Sequence, residues 1–208
     1  MFSFFTKKEF LADHLEGIVD IHNHILPGID DGAKTTVESL ELIKGFAEIG
    51  VSNLICTPHI MHNYYDNDKT TILAAYDNLK LALKSESWSN TKIRYAAEYM
   101  IDENFENILD RDEIIPLSKN SILIEMSYLQ MSINFESSLK KIQEKGLMAL
   151  FAHPERYLYL HNQLEKYTYF KALGAHFQLN LLSLGGYYGE SEQRIARKLL
   201  KENMIDYV

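Results

Sequence analysis

The sequence predicts an α/β protein with a parallel sheet and helices packed outside it. Two observations lead there. Short apolar stretches of strand type alternate with longer stretches of helical period along the whole chain. Imidazoles and carboxylates recur where the strand-type stretches end, and in parallel α/β folds that edge forms the active-site face.

The elements follow in order. Gly17 to Ile21 reads as a short strand. A helix from Val37 to Ile49 carries Val37, Leu40, Ile43, Phe46 and Ala47 at helical spacing, and Gly50 stops it. Val51 to Cys56 reads as a buried strand ended by Thr57-Pro58, and Lys69 to Lys84 as a helix. Ile93 to Ala97 is a strand and Glu103 to Leu109 a short helix. Ser121 to Ile124 is the next strand, followed by a helix from Phe135 to Glu144 that closes at Gly146. Met148 to Ala152 (strand), Gln163 to Leu173 (helix), His176 to Leu179 (strand) and Ser191 to Asn203 (helix) complete the alternation. Ile205 to Val208 opens one more strand. About seven strands result, nearly all followed by helices. A doubly wound sheet and a barrel both satisfy this pattern. Leu184 to Gly189, rich in Gly and Tyr, is a candidate cover for a site.

The bulk properties narrow the function classes. The chain has 208 residues, 46% hydrophobic and 24% charged, which fits one domain with a single core. Its formal net charge of −8 argues against nucleic acid as the main partner, because phosphate backbones are held by clusters of Lys and Arg. An acidic balance suits a protein whose bound cations neutralise part of that charge. The single cysteine, Cys56, rules out an internal disulfide and is compatible with a cytoplasmic location. In Met1 to Phe10 an aromatic patch precedes Lys7-Lys8, the reverse of a signal peptide. No stretch approaches the ~20 apolar residues of a membrane span.

The chemistry gathers at strand ends. Strand one runs into Asp20-Ile21-His22-Asn23-His24, strand two into Thr57-Pro58-His59, strand three into Glu98, and strand four into Glu125. Strand five runs into His153-Pro154-Glu155-Arg156. His22 and His24, two apart on a strand, point to the same side and can meet one ion. Imidazoles with bridging carboxylates suit manganese, zinc or iron better than magnesium or calcium. Several close-set cations activate a water and neutralise a phosphoryl group during in-line displacement. Glu98 and Glu125 are the natural bridging ligands, since a buried carboxylate needs a counter-charge. Arg156 is suited to a bidentate grip on phosphate, or to pairing with Glu155 or Glu165. Asp31 is a further ligand or a turn residue. Cys56 lies in an apolar strand without the basic loop that thiol catalysis needs.

The run Asp20-Ile21-His22-Asn23-His24-Ile25-Leu26-Pro27-Gly28-Ile29-Asp30-Asp31-Gly32-Ala33-Lys34, with Glu38-Ser39 and Thr57-Pro58-His59, resembles the PHP (polymerase and histidinol phosphatase) superfamily. It is most similar to the bacterial CpsB/YwqE-type tyrosine-protein phosphatases. Ala96-Ala97-Glu98, Ile124-Glu125 and Ala152 to Tyr157 extend the resemblance, which runs from about Gly17 to the end. It implies a distorted seven-stranded β/α (TIM-like, PHP) barrel with two to three ions, manganese first and iron, zinc or magnesium as substitutes. By resemblance, His22 and His24 bind the first ion and Glu98 is shared with the second. Glu125 and His153 complete the second, Asp31 and His59 bind the third, and Arg156 holds the phosphate. The implied substrate is phosphotyrosine on the kinase that controls capsule or exopolysaccharide assembly. A small-molecule phosphatase, such as one for histidinol phosphate, and a non-catalytic phosphotyrosine-binding module are the alternatives. The family continues past its last strand with an Asp-x-His ligand pair, whereas this chain stops at Ile205-Asp206-Tyr207-Val208. The expectation is therefore one phosphatase domain over 1–208 that lacks its C-terminal end.

Overall fold

A computed structural model describes residues 10–86 and 90–208; residues 1–9, with the aromatic and lysine stretch, and residues 87–89 lie outside it. The strands are β1 (Val19–Asn23), β2 (Asn53–Cys56), β3 (His59–Ile60), β4 (Lys92–Tyr95), β5 (Glu98–Met100), β6 (Ser121–Glu125), β7 (Met148–Ala152) and β8 (Ala175–Gln178). The helices are α1 (Thr36–Glu48), α2 (Lys69–Lys84), α3 (Phe105–Asp110), α4 (Phe135–Glu144), α5 (Leu164–Ala172), α6 (Leu181–Leu184) and α7 (Glu190–Lys201). All strand pairing is parallel, as expected, in two sheets ordered β1-β2-β4 and β3-β5-β6-β7-β8.

The count of seven strands in the sequence reading needs correction at this level. Among the described residues eight strands form two sheets, and no backbone ladder joins β1 to β8. The extra strands arise because two expected strands resume after a break. Pro58 has no N–H to give a ladder, so the chain is interrupted at Thr57-Pro58 between β2 and β3. Its neighbour breaks at Ala96-Ala97, between β4 and β5. The register nevertheless carries across: Cys56 pairs with Tyr95 and His59 with Glu98, equal steps along both chains. Ala96 N–H donates to Cys56 O and Glu98 N–H to Pro58 O across the break. Each pair of segments is thus one bent strand. The expected last strand at Ile205–Val208 is reduced to a single parallel bridge between Gln178 and Tyr207.

The segments follow from local chemistry. Thr35 caps α1 by accepting from the Glu38 N–H, and Asp68 caps α2 by accepting from the Thr71 N–H while Thr71 Oγ1 accepts from the Asp68 N–H. β6, Ser-Ile-Leu-Ile-Glu, is buried along its whole length, as a parallel strand covered on both faces should be. A core including Leu54, Tyr99, Ile122, Phe151, Phe170 and Phe177 fills the space between sheet and helices. Tyr99 and Tyr157 are buried whole because each hydroxyl accepts a backbone N–H, from Ile115 and Met126.

Candidate metal centre

Seven of the residues singled out in the sequence converge at one end of the strands. Glu98, which opens β5, is fully buried and lies at the middle. His22 Nε2 lies 3.1 Å from Glu98 Oε1, and His153 Nε2 is also 3.1 Å from that oxygen. His24 Nε2 and His59 Nδ1 face Glu98 Oε2 at 3.4 Å and 3.2 Å. Four imidazoles therefore surround one carboxylate. Glu125, at the end of β6, is buried beside it, with Oε1 at 2.8 Å from His59 Nδ1 and Oε2 at 3.8 Å from His153 Nε2. Asp31 closes the outer side, its Oδ1 at 3.5 Å from His59 Nε2 and 4.0 Å from His24 Nδ1.

The donors form three overlapping sets able to hold a cation: His22, His24 and Glu98; His24, Asp31 and His59; His59, Glu98 and Glu125. The first set has the residues expected at the first site, and the third shares Glu98 and Glu125 with the residues expected at the second. His153 Nε2, the remaining residue expected there, lies 3.1 Å from Glu98 and 3.8 Å from Glu125. Glu98 Oε2, Glu125 Oε1 and His59 Nδ1 are buried and crowd together at 2.8–3.2 Å, yet none of these contacts has the geometry of a hydrogen bond. Such atoms are costly unless something else satisfies them, and a donor set of imidazole nitrogens and carboxylate oxygens fits a divalent transition metal.

Charges within the cluster are strongly shifted. Burial penalises the Glu98 carboxylate, but the charge of His22 and hydrogen bonds from His153, His22 and His24 prevail, holding it well below the usual carboxylate range. Burial and the Glu98 charge push Glu125 up. His59 reaches about 11: burial opposes its charge, and Asp31, Glu125 and Glu98 outweigh burial. His24 reaches about 9, against burial, through Asp30 and Glu98. His153, the deepest imidazole, is pushed down to about 4 by burial and is neutral. Without a metal, His24 and His59 therefore hold protons beside the Glu98 carboxylate.

The neighbouring residues fix how these side chains point. Asp30 Oδ2 bonds His24 Nδ1 at 2.8 Å and accepts the His59 N–H at 3.2 Å, tying the end of β1 to the start of β3. Gln178 Oε1, on β8, bonds His22 Nδ1 at 2.8 Å and leaves Nε2 directed at Glu98. A histidine whose far nitrogen is bound in this way presents a fixed tautomer to a metal. His153 sits at φ +34°, a left-handed conformation unusual for a residue with a side chain, just before Pro154. Tyr65 stacks on the His59 ring at 5.4 Å with a 10° tilt.

Arg156 lies beside this cluster and pairs with neither Glu155 nor Glu165 among the described contacts. Its guanidinium lies over the rings of Tyr128 and Tyr188, at 4.7 Å and 4.0 Å from their centroids. Tyr128 also brings its hydroxyl to 3.3 Å from His153 Nε2. The loop read as a possible cover contributes Tyr188, whose hydroxyl accepts from Asn180 Nδ2. Glu155, fully buried, holds the turn beneath by accepting from the Asn180 N–H and the Ser183 hydroxyl. Cys56 is buried with its thiol pushed up to about 12 by burial and by Asp20, which makes it inert.

Sequence reasoning gives no role to Gln178 or Tyr128, which touch the centre only through tertiary packing. Asp30, in the Asp30-Asp31-Gly32 run that reads as a ligand or a turn, instead holds His24 and the His59 backbone.

Comparison with known proteins places this geometry. A family model described as capsular polysaccharide synthesis, CpsB/CapC, matches residues 18–208. The chain is 28% identical over 192 residues to the tyrosine-protein phosphatase YwqE of Bacillus subtilis (strain 168), covering 92% of this chain and 75% of the relative. It is 26% identical over 197 residues to the tyrosine-protein phosphatase CpsB of Streptococcus agalactiae, covering 92% and 81%. A crystal structure from work on YwqE of Bacillus subtilis and CpsB of Streptococcus pneumoniae, described as unique metal-dependent tyrosine phosphatases, superimposes with a TM-score of 0.83. That match has 28% identity and covers 90% of this chain and 76% of the other. With its parallel α/β fold and clustered histidines and carboxylates, the chain belongs to the CpsB/CapC family of capsular polysaccharide synthesis.

Proposed function

We propose that the chain is a metal-dependent protein-tyrosine phosphatase acting on a phosphotyrosine protein of capsule or exopolysaccharide assembly, a tyrosine kinase being the expected partner. The observation that carries this reading is Glu98, wholly buried and ringed by four imidazoles. His22, His24, Asp31, His59, Glu98, Glu125 and His153 are assigned as ligands of two to three ions. Their mixed set of imidazoles and carboxylates suits manganese, iron or zinc, with magnesium least suited, and manganese is put first on the resemblance to the family. When bound, such ions supply an activated water and neutralise charge on the transferring phosphoryl group.

The protein's own groups do the rest. Arg156, fixed in plane by Tyr128 and Tyr188, is assigned to grip the phosphate through its guanidinium fork and to stabilise charge as the ester bond breaks. Asp30 and Gln178 hold His24 and His22 with their outer nitrogens committed, so the inner nitrogens need not reorient. The tyrosine leaving group is a phenol with a pKa of about 10, and it needs less proton help than an alkyl alcohol. No general acid is assigned. A barrel-like closure of the strand array is part of the proposal, supported by the His22–Gln178 contact between β1 and β8. No helix among the described residues is long and apolar enough to cross a membrane, and a cytoplasmic site of action is proposed.

The test is phosphate release by protein loaded separately with manganese and iron, from a phosphotyrosine peptide, a phosphoserine peptide and histidinol phosphate. Phosphotyrosine should be preferred, and Glu98→Ala should abolish the activity. Preference for histidinol phosphate would move the chain to a metabolic role, and no turnover at all would leave a phosphotyrosine-binding module.

A further inference from the structure

Glu155 is wholly buried and is not among the assigned ligands. Among the described residues it makes no ion pair with Arg156, its neighbour in the chain. One oxygen, Oε1, takes both of its side-chain hydrogen bonds, from the Asn180 N–H at 3.0 Å and from the Ser183 hydroxyl at 2.6 Å. The other, Oε2, is buried with no hydrogen-bond partner. A buried carboxyl group with an idle oxygen is destabilising, and a neutral acceptor would hold a turn at a smaller penalty.

Both donors stand at α6, which leads into the loop that carries Tyr188. Asn180 caps α6, its Oδ1 accepting the Leu182 N–H at 3.2 Å, and its Nδ2 donates to the Tyr188 hydroxyl at 3.0 Å. The Tyr188 ring centroid lies 4.0 Å from the Arg156 guanidinium. The contacts form a closed ring: Glu155 to Asn180, Asn180 to Tyr188, Tyr188 to Arg156, and Arg156 back to Glu155 through the backbone. The same turn is fastened to the end of β8 a second time, by the His153 N–H donating to Gln178 O at 2.7 Å. An arginine held within such a ring has fewer orientations to lose when it binds an anion.

We propose that Glu155 is a positioning residue for the phosphate grip: it holds Asn180 so that Tyr188 lies over Arg156. The proposal rests on the phosphatase reading above, in which Arg156 binds the phosphoryl group. It predicts a sign that plain electrostatics does not. A negative charge close to a phosphate repels it, so on charge alone the loss of Glu155 would tighten phosphate binding. Loss of a positioning residue weakens it instead, because the guanidinium is then free to turn away.

The experiment measures the affinity of the manganese-loaded protein for inorganic phosphate by calorimetry, with bound metal counted by elemental analysis. Glu155→Ala should weaken phosphate binding, within the roughly twofold to thirtyfold that a stacked ring contributes, and keep its metal. Asn180→Ala retains the backbone N–H that bonds Glu155 and removes the link to Tyr188. It should give a loss of similar size, and it carries the test if Glu155→Ala fails to fold. In an Arg156→Ala background either substitution should change the affinity by less than about twofold, because the residue through which both act is gone. A general loosening of the fold would weaken binding in both backgrounds alike. Unchanged or tighter binding in either variant, metal lost in step with phosphate, or a full loss that persists without Arg156 would overturn the positioning role, while phosphate binding by the parent protein kept the phosphatase reading intact. No phosphate binding by the parent protein would overturn both.

Discussion

At the scale of single residues, the grip on phosphate depends on how firmly Arg156 is held. An unpaired guanidinium on a surface samples many orientations, and the cost of fixing one is subtracted from any bond it then makes. Here two tyrosine rings fix its plane, and Tyr188 is itself held through Asn180 by the buried Glu155. Cation–π contacts of this kind contribute about 0.5–2 kcal/mol. Replacing Tyr188 with Leu keeps an apolar wall and removes the ring. The affinity of the metal-loaded protein for inorganic phosphate should then fall by roughly twofold to thirtyfold, the range set by that contact energy. Bound metal, measured by elemental analysis, should stay unchanged, because Tyr188 touches no assigned ligand. Arg156→Lys should cost more, since an ammonium group has neither the planar fork nor the stacking face. Unaltered phosphate affinity in Tyr188→Leu would show that the clamp does not set the grip.

At the scale of elements, the segment from His24 to Ala33 is the piece most closely fitted to the centre. It closes on itself through Ala33 N–H to His24 O and Gly28 N–H to Ala33 O, and it delivers both Asp30 and Asp31. The closure needs glycine at position 32. A Cβ built there would lie 1.8 Å from His24 O and 2.5 Å from His24 Cβ, and neither of those atoms can swing aside. Gly32→Ala should therefore displace Asp31 from His59 and loosen the Asp30 tie to His24. Overpacking of this kind costs about 1–3 kcal/mol, and for a chain of this length each kcal/mol lowers Tm by about 2–4 °C. The expected outcome is a lower Tm together with fewer ions retained per chain. An unchanged Tm and full metal content would mean that the loop tolerates the methyl group. The same segment explains why the sequence was informative here: its ligands are local and its Asp-Asp-Gly turn is written in consecutive letters. Gln178 and Tyr128 act on His22 and His153 from far along the chain, through contacts that only the packed strands create. The strand breaks were half visible. Pro58 announces one interruption, whereas Ala96-Ala97 carries no breaking residue and bends because its neighbour does.

At the scale of the whole molecule, the centre couples folding, protons and metal. Burying Glu98 and Glu125 in a chain already at −8 is tolerable without ions because His24 and His59 hold protons well above the ordinary imidazole value. Both values are raised over the unfolded value of about 6.5. The stability these histidines contribute is therefore complete below about pH 6.5 and is lost as pH rises through about 9 for His24 and about 11 for His59. Metal binding runs the other way, since an imidazole must give up its proton to become a ligand. At pH 7.5 uptake of manganese should release about two protons, one from each of these histidines. That release appears in calorimetry as an apparent enthalpy that changes with the ionisation enthalpy of the buffer. Affinity for manganese should climb between pH 7 and 9, while the chelator-treated protein should become easier to denature from pH 7 to 10. His153, already neutral because burial holds it at about 4, should add nothing to the proton count. A binding enthalpy independent of buffer would mean that His24 and His59 enter the metal-binding step unprotonated, and that the folded protein balances its buried carboxylates in some other way.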